Sequence, residues 1–259
     1  MKTWFTEEKI DETTIAISEY GHYEEIHSYL LIGSNCSLLI DSGLGIGDIR
    51  PIIEKYIDGK KIMVVATHIH WDHIGGHRYF KDVYVNQNEK TWLSGSFPLP
   101  LSFVKKHFMD NCFKNGKPLW FDVNSYTIYK TDHFTEIDDG HIFNLGNRKI
   151  SCINTPGHSP GHMCFFDNEK GYLFTGDNIY HGTIYLNYPS TDPEAYKKSI
   201  DTLYQHKSKI YKLLPAHHDL NISVCLLGEL KSILSGLKKE NRLMHGTGKI
   251  EGNKIAILL

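Results

Sequence analysis

The chain has 259 residues, long enough for one large α/β domain, and its 41% apolar and 22% charged residues are ordinary for a soluble globular protein. Lys plus Arg total 28 against 30 for Asp plus Glu, so the net charge of −2 offers no global attraction to nucleic acid or to an anionic membrane. The N-terminus carries no apolar core of a signal peptide, no run approaches the roughly 18 apolar residues of a membrane span, and five scattered cysteines fit reduced thiols, so the expected location is cytoplasmic.

Weak alternation of apolar residues up to about Tyr20 predicts edge strands, followed by a hairpin over 28–32 and 37–40 around the turn Gly33-Ser34-Asn35. The hairpin ends at Asp41-Ser42-Gly43. Asp48 is placed to cap a helix to about Ile57, with Ile49, Ile52, Ile53 and Tyr56 on one face, which returns the chain for an apolar strand over 62–66.

That strand runs into Thr67-His68-Ile69-His70-Trp71-Asp72-His73-Ile74-Gly75-Gly76, where three imidazoles and one carboxylate fall within six residues. Neutral imidazole nitrogens and carboxylate oxygens are the ligands preferred by zinc and its first-row neighbours. His68 and His70, two apart in extended chain, point the same way, whereas Asp72 and His73, past the bend, can serve a second position. One loop can therefore feed two metals.

Beyond the loop a short helix over 74–80 and a strand over 83–85 are expected. An aromatic-rich insertion at about 86–130 fits neither helical nor strand period. Such an insertion walls or lids an apolar pocket, or else supplies a homodimer contact. Strands follow at 142–145, 149–154, 163–167 and 172–175, then a helix opened by Asp192-Pro193-Glu194, a strand over 210–214, a helix over 222–239 and a closing strand over 254–258.

Three later strand ends carry further ligand types: His158 in Thr155-Pro156-Gly157-His158, Asp177 in Thr175-Gly176-Asp177-Asn178, and His217 in Pro215-Ala216-His217-His218. With the His loop, these four segments resemble the motifs of the metallo-β-lactamase superfamily. The resemblance implies an α/β fold, the four-layer αβ/βα sandwich, as a single domain over 1–259. It implies two divalent metal ions, Zn2+ first and Fe or Mn as alternatives. His68, His70 and His158 would hold one ion, Asp72, His73 and His217 the other, with Asp177 bridging and Asp41 supporting the loop. His162 competes with His158, and His218 with His217, because Ala216 stands where the family motif has Gly. The remaining histidines read as surface or hydrogen-bonded core, with His27 and His181 nearest to the motifs.

The family contains several chemistries. True β-lactamases of this fold lack the bridging Asp, oxygen reductases replace the second His, and nucleases add basic modules that this chain lacks. The motif layout is most similar to lactonases and esterases, in which a Tyr three residues past the bridging Asp, here Tyr180, faces the substrate carbonyl. The function so implied is hydrolysis of a small carboxylic ester or lactone by a metal-bridged hydroxide, with Asp72 relaying the proton. The alternatives are a glyoxalase II-like thioester hydrolase and an iron-dependent persulfide-dioxygenase-like oxidoreductase.

Overall fold

A computed structural model describes residues 4–259. The chain divides into two compact units, one comprising Met1–Val85, Glu89–Glu136 and Leu145–Asn147, the other Asn86–Asn88, Ile137–Asn144 and Arg148–Leu259.

The first unit is built on strands β1 (Thr6–Asp11), β2 (Thr14–Ser18), β3 (His27–Ile32), β4 (Cys36–Ile40), β5 (Lys61–Val65), β6 (Val83–Asn86) and β7 (Thr135–Ile137), which lie side by side in that order. The first four pair antiparallel, as short hairpins must, and β4, β5 and β6 pair parallel, as the intervening crossovers require. Helix α1 (Arg50–Ile57) makes the first crossover and buries Ile52, Ile53 and Ile57 against Ile15, Ile17, Leu30, Leu39 and Val64 of the sheet. Its expected cap differs in detail. Ile49 occupies the cap position, and Asp48 instead accepts the Arg50 N–H at 3.0 Å and pairs with the Arg50 guanidinium. β2 is fully buried rather than an edge strand, because β1 covers it.

The helix expected over 74–80 begins earlier and is tighter: α2 (Trp71–Ile74) is a single turn that passes into a 3-10 turn at Gly75–Tyr79. The aromatic insertion is organised by short helices, including α3 (Lys90–Leu93) and α4 (Leu101–Val104). Phe108, Phe113, Phe121 and Tyr126 are buried, with Phe108 edge-on to the Trp71 ring at 5.1 Å and 4.3 Å from the Tyr126 ring. The insertion thus closes over Trp71, inside the His loop, while Met109, Leu119 and Trp120 remain exposed.

The second unit holds a sheet of β8 (Ile142–Asn144), β9 (Lys149–Asn154), β10 (Met163–Asp167), β11 (Tyr172–Gly176) and β13 (Lys212–Pro215), and a three-stranded sheet in which β15 (Ile255–Leu258) lies between β12 (Gly182–Tyr185) and β14 (Lys249–Glu251). β11 pairs parallel with β13, and α5 (Pro193–Gln205) makes the connection. The Asp192 carboxylate caps α5 by accepting from the Glu194 and Ala195 N–H groups at 2.9 Å. α6 (Leu226–Lys239) begins four residues later than expected. Tyr196, Ile200 and Leu203 of α5 and Leu227, Leu230 and Leu234 of α6 form one core with Leu173, Leu213 and Ile257. Among the described residues no helix is long and apolar enough to cross a membrane.

Candidate metal centre

In the first unit the ligand loop is held by the turn that follows β4. Asp41, at φ +58 in the left-handed region that Asp tolerates better than most residues, is fully buried. Its Oδ1 accepts the Thr67 N–H at 2.7 Å, and its Oδ2 accepts both the Thr67 hydroxyl and the His73 Nδ1–H at 2.9 Å. The Thr67 oxygen in turn faces His68 Nδ1 at 3.0 Å. One carboxylate, directly and through one hydroxyl, thereby fixes the tautomers of two imidazoles and leaves Nε2 of each for a metal.

Gly75 and Gly76 of the loop meet a steric need. A Cβ on Gly75 would lie 2.3 Å from the Gly45 nitrogen and the Leu44 carbonyl carbon, and one on Gly76 would lie 2.6 Å from the Ser42 oxygen. The two backbones are stitched by Ser42 N–H to His73 O at 2.7 Å and Gly75 N–H to Gly43 O at 2.8 Å. Under the stitched turn lies Glu19, a buried acid that accepts from Leu44 N–H at 2.8 Å and from the Trp4 indole; burial raises its pKa to about 7.

His68 Nε2 and His70 Nδ1 stand 2.9 Å apart. Two nitrogens each about 2.0–2.1 Å from one ion are separated by about 3 Å, so the pair suits a shared metal. Asp72 Oδ2 lies 3.7 Å from His73 Nε2.

In the second unit the three remaining residues sit together at the ends of β9, β11 and β13. His158 follows the Pro156-Gly157 turn, where Gly157 has φ +137 and a Cβ would strike the Tyr196 backbone at 2.3 Å. Its Nδ1–H donates to Tyr185 O at 3.1 Å, turning Nε2 towards Asp177 Oδ2 at 3.4 Å. His217 Nε2 lies 3.1 Å from the other oxygen, Asp177 Oδ1. One carboxylate thus presents each of its oxygens to a different imidazole.

The competing histidines fall into supporting places. His162 Nε2 accepts the Asp177 N–H at 3.1 Å and its Nδ1 faces the Thr155 hydroxyl at 2.9 Å, so it positions the Asp. His218 adopts φ +63 and is only partly buried, with its ring 6.0 Å from Tyr180. Ala216, which stands where the family motif has Gly, is not among the residues of positive φ, so a side chain is tolerated at that position. His27 bonds to the Ser18 hydroxyl at 2.8 Å and His181 to Asp219 at 2.5 Å, in keeping with supporting or surface roles. Tyr180 is buried, its hydroxyl donates to Thr183 O and its ring centroid lies 5.4 Å from that of His217.

Four supporting residues escaped the sequence reading: Thr67 as a relay, Glu19 under the turn, Glu89 and Trp92. Glu89, in the aromatic insertion, accepts the Ile69 N–H at 2.6 Å. Only the flanking Thr, directly before the first His, offered a sequence signal.

All seven sequence-predicted ligands belong to clusters of His and Asp that could hold a metal ion. Imidazole nitrogens and carboxylate oxygens are donor types that fit divalent first-row metals.

The family model described as Metallo-beta-lactamase superfamily matches residues 24–217. An acyl-coenzyme A thioesterase MBLAC2 of Gallus gallus is 26% identical over 84% of this chain and 82% of its own length. An atrochrysone carboxyl ACP thioesterase of Emericella nidulans is 27% identical over 82% of this chain, which spans 61% of that longer protein. Among solved structures, an archaeal superfamily protein from Sulfolobus tokodaii superposes with a TM-score of 0.58 at 24% identity, over 81% of this chain and 80% of its own. The match over most of the chain, together with the ligand motifs and the shared fold, makes this protein a member of the metallo-β-lactamase superfamily, an α/β-sandwich hydrolase.

Proposed function

We propose that this protein hydrolyses an acyl thioester at a dinuclear metal centre, with an oxygen ester or lactone as the second reading. The observation that carries the dinuclear centre is Asp177, whose two oxygens face His158 and His217 at 3.4 and 3.1 Å. On this reading His68, His70 and His158 would hold one ion and Asp72, His73 and His217 the other, with Asp177 serving both. Zn2+ is the first choice of metal, with Fe or Mn as alternatives. When bound, the metal pair supplies a water nucleophile at neutral pH and polarises the carbonyl under attack.

The chain's own residues have defined tasks. Asp41 holds His73 directly and His68 through Thr67, each with Nε2 available, and Tyr185 O does the same for His158. Asp72, nearly buried, takes the proton released by the attacking water and delivers it to the leaving group. A thiolate leaves without full protonation and an alkoxide does not, so loss of this proton transfer would slow ester cleavage more than thioester cleavage.

The thioester reading stands first because two relatives of similar sequence are named as thioesterases. The lactone reading draws on the motif layout, with Tyr180 as an added feature, and the Tyr180 hydroxyl donates to Thr183 O. The deciding experiment compares kcat/KM for acyl-coenzyme A, glutathione thioesters, aryl esters and lactones in zinc-, iron- and manganese-loaded protein. Acyl thioesters are expected to lead by at least tenfold. A lead of that size for lactones would restore the ester reading, and oxygen consumption by the iron form with a persulfide would overturn hydrolysis altogether.

A further inference from the structure

We infer that Glu89 and Trp92, on one turn of the aromatic insertion, are positioning residues for the ligand pair His68 and His70. The inference rests on the reading of those histidines as metal ligands. Glu89 is fully buried, and its Oε2 accepts the N–H of Ile69 at 2.6 Å. That N–H belongs to the single residue between the two ligands. Holding it sets the backbone torsions on either side, and with them the direction in which both imidazoles leave the chain.

Trp92 lies three residues on, so the two side chains share one side of the turn at the start of α3. Its indole stacks on the His70 ring, with centroids 6.0 Å apart and planes inclined by only 7°. One short segment therefore grips the His-X-His unit twice, by its backbone and by an imidazole face. Asp41 and Thr67 grip the same unit from the other end, at Thr67 and His68.

A merely structural role for Glu89 would lower the stability of the fold and leave metal binding by the folded protein unchanged. A role in positioning predicts an effect on metal binding by the folded protein. Its size should match that of other groups that orient metal ligands, about ten- to hundredfold in affinity.

The test uses the full chain with Co2+ as probe, reading affinity by chelator competition, the visible absorption of the bound ion and the unfolding temperature of each variant. Glu89→Met removes the acceptor and is expected to weaken Co2+ binding about ten- to hundredfold with an altered spectrum. Glu89→Gln, whose amide oxygen can still accept from Ile69, should stay within about threefold of wild type and so act as the conservative rescue. Trp92→Leu is expected to shift the Co2+ spectrum in the same sense as Glu89→Met.

A folded Glu89→Met with wild-type affinity and spectrum would overturn the inference. If Glu89→Met does not fold, Glu89→Asp replaces it: charge is kept and reach is lost, so weaker binding than Glu89→Gln supports the inference, and equal binding overturns it. His70→Ala separates the two levels of the argument. If it leaves Co2+ binding unchanged, the ligand assignment itself fails. If it abolishes binding while the Glu89 variants bind as wild type does, only the positioning role fails.

Discussion

The division of labour between neighbouring histidines is set by where each side chain is tethered. His217 is buried and faces Asp177 Oδ1, whereas His218 bends away at φ +63. His217→Ala is expected to lower kcat by several orders of magnitude, and His218→Ala by about tenfold or less, the size of an effect on ligand orientation. Steady-state kinetics of the two variants checks the ranking, and the reverse order would mean that the wrong His is the ligand. His77 is a different case, a buried imidazole beside the Ser42 hydroxyl at 2.5 Å whose pKa falls to about 3, by burial first and by the nearby His73 second. Between about 3 and the ordinary 6.5 the unfolded chain binds a proton that the folded chain refuses. The stability owed to neutral His77 is therefore complete above about pH 6.5 and is lost as pH falls, by about 1.4 kcal/mol per unit. His77→Asn should flatten the acid limb by that slope relative to wild type, measured by urea unfolding of metal-free protein from pH 6.5 to 4.

At the scale of elements, the ligand loop works because two turns lie backbone against backbone. Gly75 has an ordinary helical φ of −57, so its requirement for glycine is wholly steric, with the Gly45 and Leu44 backbone 2.3 Å from where a Cβ would stand. Gly75→Ala is expected to cost about 2 kcal/mol or more, since backbone cannot rotate out of the way as a side chain can. Gly236, within α6 with nothing within 4 Å of its Cβ position, is the counterpart: Gly236→Ala should stabilise by about 0.5–1 kcal/mol through helix propensity. Opposite shifts in urea midpoint for two Gly→Ala changes would separate the two causes. Equal shifts would contradict the close approach at Gly75.

At the scale of the whole molecule, the metal content is the sharpest consequence of the proposed centre. Two ions per chain are expected after purification in added zinc, and Asp177→Ala should lower that occupancy, because the carboxylate offsets the repulsion between two cations. Elemental analysis per mole of chain decides it. A ceiling of one ion would remove the bridging role of Asp177 and favour a mononuclear oxidoreductase.

The candidate donor types and their order were legible in the sequence because a metal demands particular atoms at strand ends, and few other pressures place His-X-His-X-Asp-His after an apolar run. The parallel steps were legible for a related reason: an amphipathic helix such as 50–57 between two apolar strands admits little else. Apart from Asp41, which the family resemblance gave as support for the loop, the supporting layer was not legible. Glu89 reaches Ile69 and Trp92 reaches His70 across 20 or more residues of chain, and such contacts leave no periodic trace in the sequence that makes them. The same holds for His162 beneath Asp177, a histidine of the same type and motif as a ligand, whose role was decided only by which nitrogen met the Asp177 N–H. The sequence determined the chemistry of the donors. Tertiary structure alone decided their aim, because aim depends on neighbours that are distant in the chain and adjacent only once the strands are paired.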